Sequence, residues 1–236
     1  NRRNTQRGRP TVEPIYVAAD AEACLTQLRV VEYNKWIDAG DGVKARYWDA
    51  KHILGAASIE LEIMTGEPVR QALARGGNLL IPSFAVERTQ LLLLDLCDLM
   101  DRKEIPEVPV FLDSPLAIRA TEVFAAHPDY IDDLSDRRDP FSRPNIHYTA
   151  SVEESKSISR FKSGAIIMAA SGMCDAGRIR HHLKSHLWRK ESTVLIVGYQ
   201  APGSLGQLIA DGKKRVRIHG EEVAVRAAIR KIDVYS

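Results

Sequence analysis

The sequence predicts an α/β fold built on a doubly wound, mainly parallel sheet. Short apolar runs alternate with amphipathic stretches of helical period, about five strand-helix repeats follow one another, and each apolar run ends in a polar turn. The repeats begin with a helix over Glu67 to Arg75 closed by Gly76-Gly77, then a strand over Asn78 to Pro82 and a long helix over Val86 to Lys103. A strand over Val108 to Leu112 runs into Asp113-Ser114-Pro115, which opens a helix from Leu116 to about Ala126. A polar connection with Pro128, Pro140, Pro144 and the charges between Asp132 and Asp139 reads as a surface loop. The alternation resumes with strands over Ile146 to Thr149, Ala165 to Ala170 and Thr193 to Gly198, separated by helices over Val152 to Phe161 and Ala176 to Trp188.

The flanks differ. Residues 1–66 carry a helix over Ala21 to Tyr33 after the cap candidate Asp20, then extended runs over Val43 to Asp49 and Ser58 to Ile63. Residues 213–236 alternate again, with Val216, Ile218, Val223, Val225, Ile229 and Ile232 as inward positions. Both ends are expected to belong to a second sheet, giving segments 1–66, 67–212 and 213–236.

Composition narrows the function. The chain has 236 residues, 44% hydrophobic and 27% charged, which excludes disorder as the main state. Lys and Arg number 33 against 31 Asp and Glu, a formal charge of +2, so any contact with nucleic acid must be local rather than a coat of basic charge. The longest apolar runs, such as Leu91 to Leu94, fall far short of the roughly 20 residues of a membrane-spanning helix. The four arginines within Asn1 to Pro10 are followed by no apolar stretch, so the start is not a secretory signal, and a cytoplasmic protein is expected. Three widely spaced cysteines, Cys24, Cys97 and Cys174, form neither a disulfide framework nor a metal knuckle.

Ligands of doubly wound sheets bind beyond the carboxyl ends of the strands, and four turns there stand out. They are Pro82-Ser83-Phe84-Ala85-Val86-Glu87-Arg88-Thr89-Gln90, Asp113-Ser114-Pro115, the run from Ser171 to Arg178, and the run from Gly198 to Gly206. Hydroxyls and glycines at helix starts offer backbone N–H groups to an anion, and two turns add an arginine. Ser83, Arg88, Ser114, Arg178 and Ser204 are therefore the candidates for a phosphate-facing rim, although each serine and glycine also suits an ordinary cap or turn. His182 and His186 stand at i, i+4, a spacing that can grip a metal. A solvated basic helix face with Arg178, Arg180, His181, Lys184 and Arg189 is the other reading. No Walker loop, GxGxxG or GxSxG occurs.

Taken in order, these pieces resemble a known family. Pro14-Ile15-Tyr16, the run from Asp49 to Ala57 around Lys51-His52-Ile53-Leu54-Gly55, Ile81 to Gln90, Asp113-Ser114-Pro115, Ser171-Gly172-Met173 and Gly198-Tyr199-Gln200 with Gly203 to Gly206 are similar to the motifs of the β-CASP branch of metallo-β-lactamase-fold nucleases. The bacterial RNA 3′-end-processing exonucleases are the most similar branch. The resemblance implies a doubly wound β-CASP domain beside a partial metallo-β-lactamase (αββα) domain. It also implies hydrolysis of single-stranded RNA in the cytoplasm at two zinc ions, and a homodimer in some relatives.

By motif position His52 matches a zinc ligand of that family, with Lys51 and Ala56 where relatives carry Gly and Ser. The resemblance implies that the other ligand elements would fall before Asn1, across Gly66 and after Ser236. The sequence thus reads as pieces of a longer protein rather than a degenerate member. The alternative function is a β-CASP scaffold that binds RNA or a partner subunit without cleaving.

Overall fold

The computed structural model describes residues 17–40, 43–49, 57–63, 66–128 and 139–232, in two compact units, Asn1–Ile63 and Met64–Ser236. In the smaller unit, helix α1 (Ala18–Leu25) precedes an antiparallel meander of β1 (Trp36–Gly40), β2 (Val43–Asp49) and β3 (Ala57–Ile63). The sequence predicts two strands here and a longer helix; the helix stops early because the Thr26 hydroxyl and the Gln27 amide turn back onto Ala23 and Cys24 carbonyls. The β-branched pair Val30-Val31 further disfavours helix. Arg46 lies over the Trp36 ring, 4.6 Å from its centre, across the β1–β2 pair.

The larger unit is the doubly wound domain. A six-stranded parallel sheet has the order β11-β8-β4-β7-β5-β6, from β4 (Leu79–Pro82), β5 (Val110–Leu112), β6 (Ile146–Tyr148), β7 (Ile166–Ala169), β8 (Thr193–Ile196) and β11 (Ala228–Lys231). Strands β4, β5, β7 and β8 are buried on both faces, which is why they read as unbroken apolar runs. Helix α2 (Gly66–Ala74) leads into β4, α3 (Arg88–Asp101) crosses from β4 to β5, and α4 (Pro115–Ala126) follows β5. Helix α5 (Val152–Ser157) tightens into a 3₁₀ turn at Ile158–Arg160. It is followed across β7 by α6 (Ile179–His186), and α7 (Leu205–Ala210) comes after β8. A separate hairpin, β9 (Arg215–Ile218) with β10 (Glu221–Ala224), precedes β11.

Alternating side chains of the sheet feed two layers. Leu80, Val194 and Ile196 pack with Ile179 and Leu183 of α6, Leu205 and Ile209 of α7, and Val216, Ile218 and Val223 of the hairpin. Ile81 and Leu195 meet Val69 of α2 and Leu92 and Leu96 of α3 around a small apolar cavity. The described part of segment 213–236 sits in this larger unit. β11 extends the main sheet beside β8, and the expected inward residues Val216, Ile218, Val223 and Ile232 are buried.

A polar knot closes the amino end of the sheet. Asn78, fully buried, donates to the Phe161 carbonyl at 2.7 Å, accepts from the Ala165 amide at 3.2 Å, and lies 3.1 Å from His186 Nε2. His186 Nδ1 is 2.9 Å from the His182 carbonyl, which can only accept, so Nδ1 carries the proton and Nε2 accepts from Asn78. Burial holds the His186 imidazole below its ordinary range, against the hydrogen bond to His182. The folded state therefore prefers neutral His186, and its contribution to stability is present above the unfolded value near 6.5 and is lost as pH falls below it.

Replacing Asn78 by Ala strands a buried carbonyl, an amide and an imidazole nitrogen, and is expected to cost about 2–3 kcal/mol or more in denaturant unfolding. His186→Gln should flatten the fall in melting temperature between about pH 7 and 5 that the wild-type chain shows.

Candidate nucleic-acid interface

The winding of the sheet defines a crevice. From β4 the chain crosses to β5 on one side through α3, whereas from β7 it crosses to β8 on the other through α6, and β4 and β7 are neighbours. Adjacent strands whose connections leave in opposite directions open a cleft at their carboxyl ends. The turns after β4 and β7 meet there: the Phe84 ring lies over Gly172, so that a Cβ on Gly172 would stand 3.1 Å from it.

One buried carboxylate fixes this edge. Asp113, directly after β5, accepts from Arg178 Nη1 at 2.8 Å and the Thr149 hydroxyl at 2.9 Å on one oxygen. Its other oxygen accepts from His182 Nε2 at 2.7 Å and the Ser155 hydroxyl at 2.6 Å. Burial alone would raise the Asp113 pKa; the hydrogen bonds from His182, Ser155 and Arg178 outweigh it and hold the carboxyl at about 2. Arg178 also donates to the Thr149 and Ala150 carbonyls, so its guanidinium spans the turns after β6 and β7.

The turn between β7 and α6 is set by backbone. Gly177 has φ +74°, and a Cβ there would fall 2.1 Å from the Ala170 carbonyl oxygen, so glycine alone allows the loop to close on β7. The loop also explains why α6 starts at Ile179 rather than at Ala176 as the sequence predicts: the Ser171 amide takes the Ala176 carbonyl and the Ile179 amide bonds back to Ala170. Cys174, inside this turn, has its thiol pushed up to about 12 by burial first and by the Asp175 charge second; it is inert at neutral pH. Gln200, after β8, is buried and donates to the Gly172 and Gly198 carbonyls, locking the β7 and β8 turns together.

Each serine expected on the rim is engaged by the fold. Ser114 caps α4 by accepting from the Ala117 amide, and Ser204 caps α7 by accepting from Gln207. Ser83 caps nothing: the Thr89 hydroxyl donates to the Phe84 carbonyl at 2.6 Å, so the Ser83 hydroxyl donates to Thr89 at 2.8 Å. Helix α3 begins at Arg88, after Glu87 at φ +67°. Arg88 is half-buried at the mouth of the crevice, while Arg178 is turned onto Asp113. His52 lies outside the described residues.

The basic face read on α6 holds only in part. His182 and His186 point inward to Asp113 and Asn78, while His181 is exposed. Among the described residues no three His, Cys, Asp or Glu come together to hold a metal ion, so these residues do not fit a zinc site. No helix among the described residues is long and apolar enough to cross a membrane.

Four large apolar side chains face out of the crevice edge, along with the exposed carboxylates Glu87 and Asp175. Phe84 and Val86 after β4, Leu116 after β5 and Tyr199 after β8 are 48–61% exposed. Sequence reasoning passed over them because it looked for polar chemistry; Phe84 and Tyr199 were legible only as aromatics at strand ends.

Comparison with known proteins fits this architecture. Residues 89–209 match the model of the Beta-Casp domain, just over half of the chain. The chain belongs to the Beta-Casp domain family. Over 95% of its length it is 29% identical to "Ribonuclease TTHA0252" of Thermus thermophilus, and over 67% it is 32% identical to "Transcription termination factor FttA" of Methanothermobacter thermautotrophicus. Over 92% it is 24% identical to an "RNase J-like protein" of Methanocaldococcus jannaschii. The chain spans 64%, 26% and 63% of the length of these relatives, respectively. The matched Beta-Casp region begins at Thr89 in α3 and ends at Ile209 in α7, so it takes in the turns after β5, β7 and β8.

Removing the Asp113 carboxylate in Asp113→Ala leaves Arg178 and His182 without their shared partner, and should cost about 3–5 kcal/mol in unfolding experiments. In the wild-type chain the Asp113 carboxylate stabilises the fold fully above pH about 4, and that stabilisation should vanish as pH falls through about 2.

Proposed function

We propose that this Beta-Casp domain belongs to a cytoplasmic, zinc-dependent ribonuclease and holds single-stranded RNA across the crevice at the carboxyl edge of its sheet. The observation that carries the reading is the composition of that edge. Exposed Phe84 and Tyr199 follow the neighbouring strands β4 and β8, where unpaired bases would find flat apolar surfaces, and Arg88 stands beside them at the start of α3. Base stacking on aromatic side chains needs no particular sequence and favours single strands, whose bases are free to turn outward.

In this reading Arg88 contacts phosphate directly. Ser83, Ser114, Arg178 and Ser204 complete the rim by shape: their polar groups hold the turns so that the backbone and Arg88 meet the strand in fixed positions. Zinc in this reading rests on the resemblance of the motif around His52, since the described residues do not themselves fit the metal. The described residues bind and orient the RNA and exclude water from the stacked bases. The ribonuclease and RNase J-like names of relatives support RNA as the substrate, and removal of nucleotides from a 3′ end follows from the resemblance of the motifs.

Phe84→Ala and Tyr199→Ala should each weaken binding of a single-stranded oligoribonucleotide by about 1–3 kcal/mol in fluorescence anisotropy, with binding of duplex RNA unchanged. Arg88→Ala should weaken binding and reduce the slope of log affinity against log salt by about 0.7. Unchanged affinity and slope in these variants would overturn the rim assignment. Chelation should stop cleavage of the same RNA and zinc should restore it; RNA binding by a metal-loaded chain that never cleaves would instead favour the scaffold reading.

A further inference from the structure

The β9–β10 hairpin turns on two residues, His219-Gly220, with φ of +50° and +81°. A two-residue turn with both φ positive is a position for Asn-Gly or Gly-Gly, and histidine is one of the few other side chains enriched in the left-handed region. The side chain at 219 is not needed by the core, since it is exposed while Val216, Ile218 and Val223 do the packing. It instead stacks on His181 of α6, with ring centres 4.5 Å apart and planes inclined by 23°.

Two more cations border this pair. Arg180 and Lys184 flank His181 on α6, and Lys184 reaches across to Glu221 of β10 at 2.6 Å. Glu221 thus pairs with Lys184, while Arg180 donates to the Asp175 carbonyl at 3.3 Å. Partial loss of water comes first, and then the charges of Arg180, His181 and Lys184, in holding His219 below the ordinary imidazole range; Glu221 acts the other way. His181 lies on the first turn of α6, three residues after Arg178, so the cluster borders the crevice edge where that helix leaves it.

We propose that His181 and His219, with Arg180 and Lys184, form a second phosphate-docking site that holds the RNA backbone where it passes from the crevice onto the α6 and β9–β10 flank. The site rests on the reading of the crevice as an RNA rim. A strand of nucleotides carries one negative charge per unit, and a chain of net charge +2 can bind it only through local clusters such as this one. Phosphate beside the stacked pair offsets the cationic surroundings that hold His219 below the ordinary imidazole range. Binding therefore takes up protons, and affinity rises as pH falls through the imidazole range.

The test uses the full chain and a labelled single-stranded oligoribonucleotide with phosphorothioate linkages, which keeps the charges and resists hydrolysis. Affinity should rise several-fold from pH 7.5 to 6.0, and the salt slope should steepen by about 0.7 for each imidazole that becomes charged. His219→Asn keeps the turn, because Asn-Gly suits two positive φ angles, and should lose the part of the pH response that His219 supplies. His181→Lys, with a fixed charge, should show at pH 7.5 much of the affinity gained by the wild type at pH 6.0. A wild-type pH response retained in His219→Asn, or RNA binding that is flat with pH in the wild type, would overturn this site and leave the rim standing. Failure to bind RNA at any pH would overturn the rim reading with it, and displacement of the RNA by polyglutamate with equal pH response would assign the cluster to an acidic protein instead.

Discussion

Everything at the carboxyl edge of the sheet depends on the buried carboxylate of Asp113. Its two oxygens collect donors from Thr149 and Ser155 between β6 and β7 and from Arg178 and His182 between β7 and β8, which ties two separate crossovers to the end of β5. A charge in that position is tolerable only because four donors, one of them a guanidinium, answer it; with the carboxylate removed, they become buried polar groups without their shared partner. The crevice can therefore be rigid although it is made of loops. The link continues inward, since His182, bound to Asp113 through its ring, also accepts from the His186 ring through its carbonyl, and His186 accepts from Asn78 at the opposite end of the sheet. Helix α6 is pinned along its inner face by two buried imidazoles.

This anchoring separates two jobs that the sequence merges. Arg178 reads as a phosphate ligand because it is an arginine in the first turn of the helix that the sequence predicts from Ala176. In the structure its guanidinium bridges Asp113 and two carbonyls, and the same features serve to fix the loop. His182 and His186 likewise read as a surface pair from their i, i+4 spacing, and are instead the inward stripe of an amphipathic helix. Helical spacing reports which side chains share a face, and the packing partner decides whether that face is wet.

The doubly wound sheet was legible because its strands are buried on both faces and its helices are periodic, two signals carried by local sequence. Ser114 was legible as a cap for the same reason, with Pro115 next to it at the first helical position. The Asp113 cluster was not, because its partners stand 36, 42, 65 and 69 residues away and nothing local distinguishes a serine or threonine that answers a buried charge from one on the surface. The early end of α1, the third strand β1 and the late start of α6 were missed where backbone turns, at Thr26 and at Gly177, overrode side-chain pattern. The stacked His181 and His219 lie 38 positions apart on a helix and a hairpin, and only the fold makes them neighbours.

The edge that results is the reverse of an ordinary protein surface. Its polar side chains, Ser83, Asp113, Ser114, Gln200 and Ser204, are turned inward to hold the turns, and Phe84, Val86, Leu116 and Tyr199 are turned outward. Scattered apolar groups on a surface need no explanation, but four at the ends of three strands, around the switch point of a doubly wound sheet, make a band along one edge that the exposed Glu87 and Asp175 interrupt. Such a band has little to offer a phosphate and much to offer a flat, weakly polar base, whose stacking gains from the absence of competing water. The cations lie to its sides, with Arg88 at the start of α3 and the His181 group on α6. A single strand laid across would place its bases in the middle and its charges at the two flanks. A duplex, with bases inward and phosphates outward along both edges, would present the wrong group to each part of the surface, so the preference for single strands follows from where the apolar and charged side chains stand.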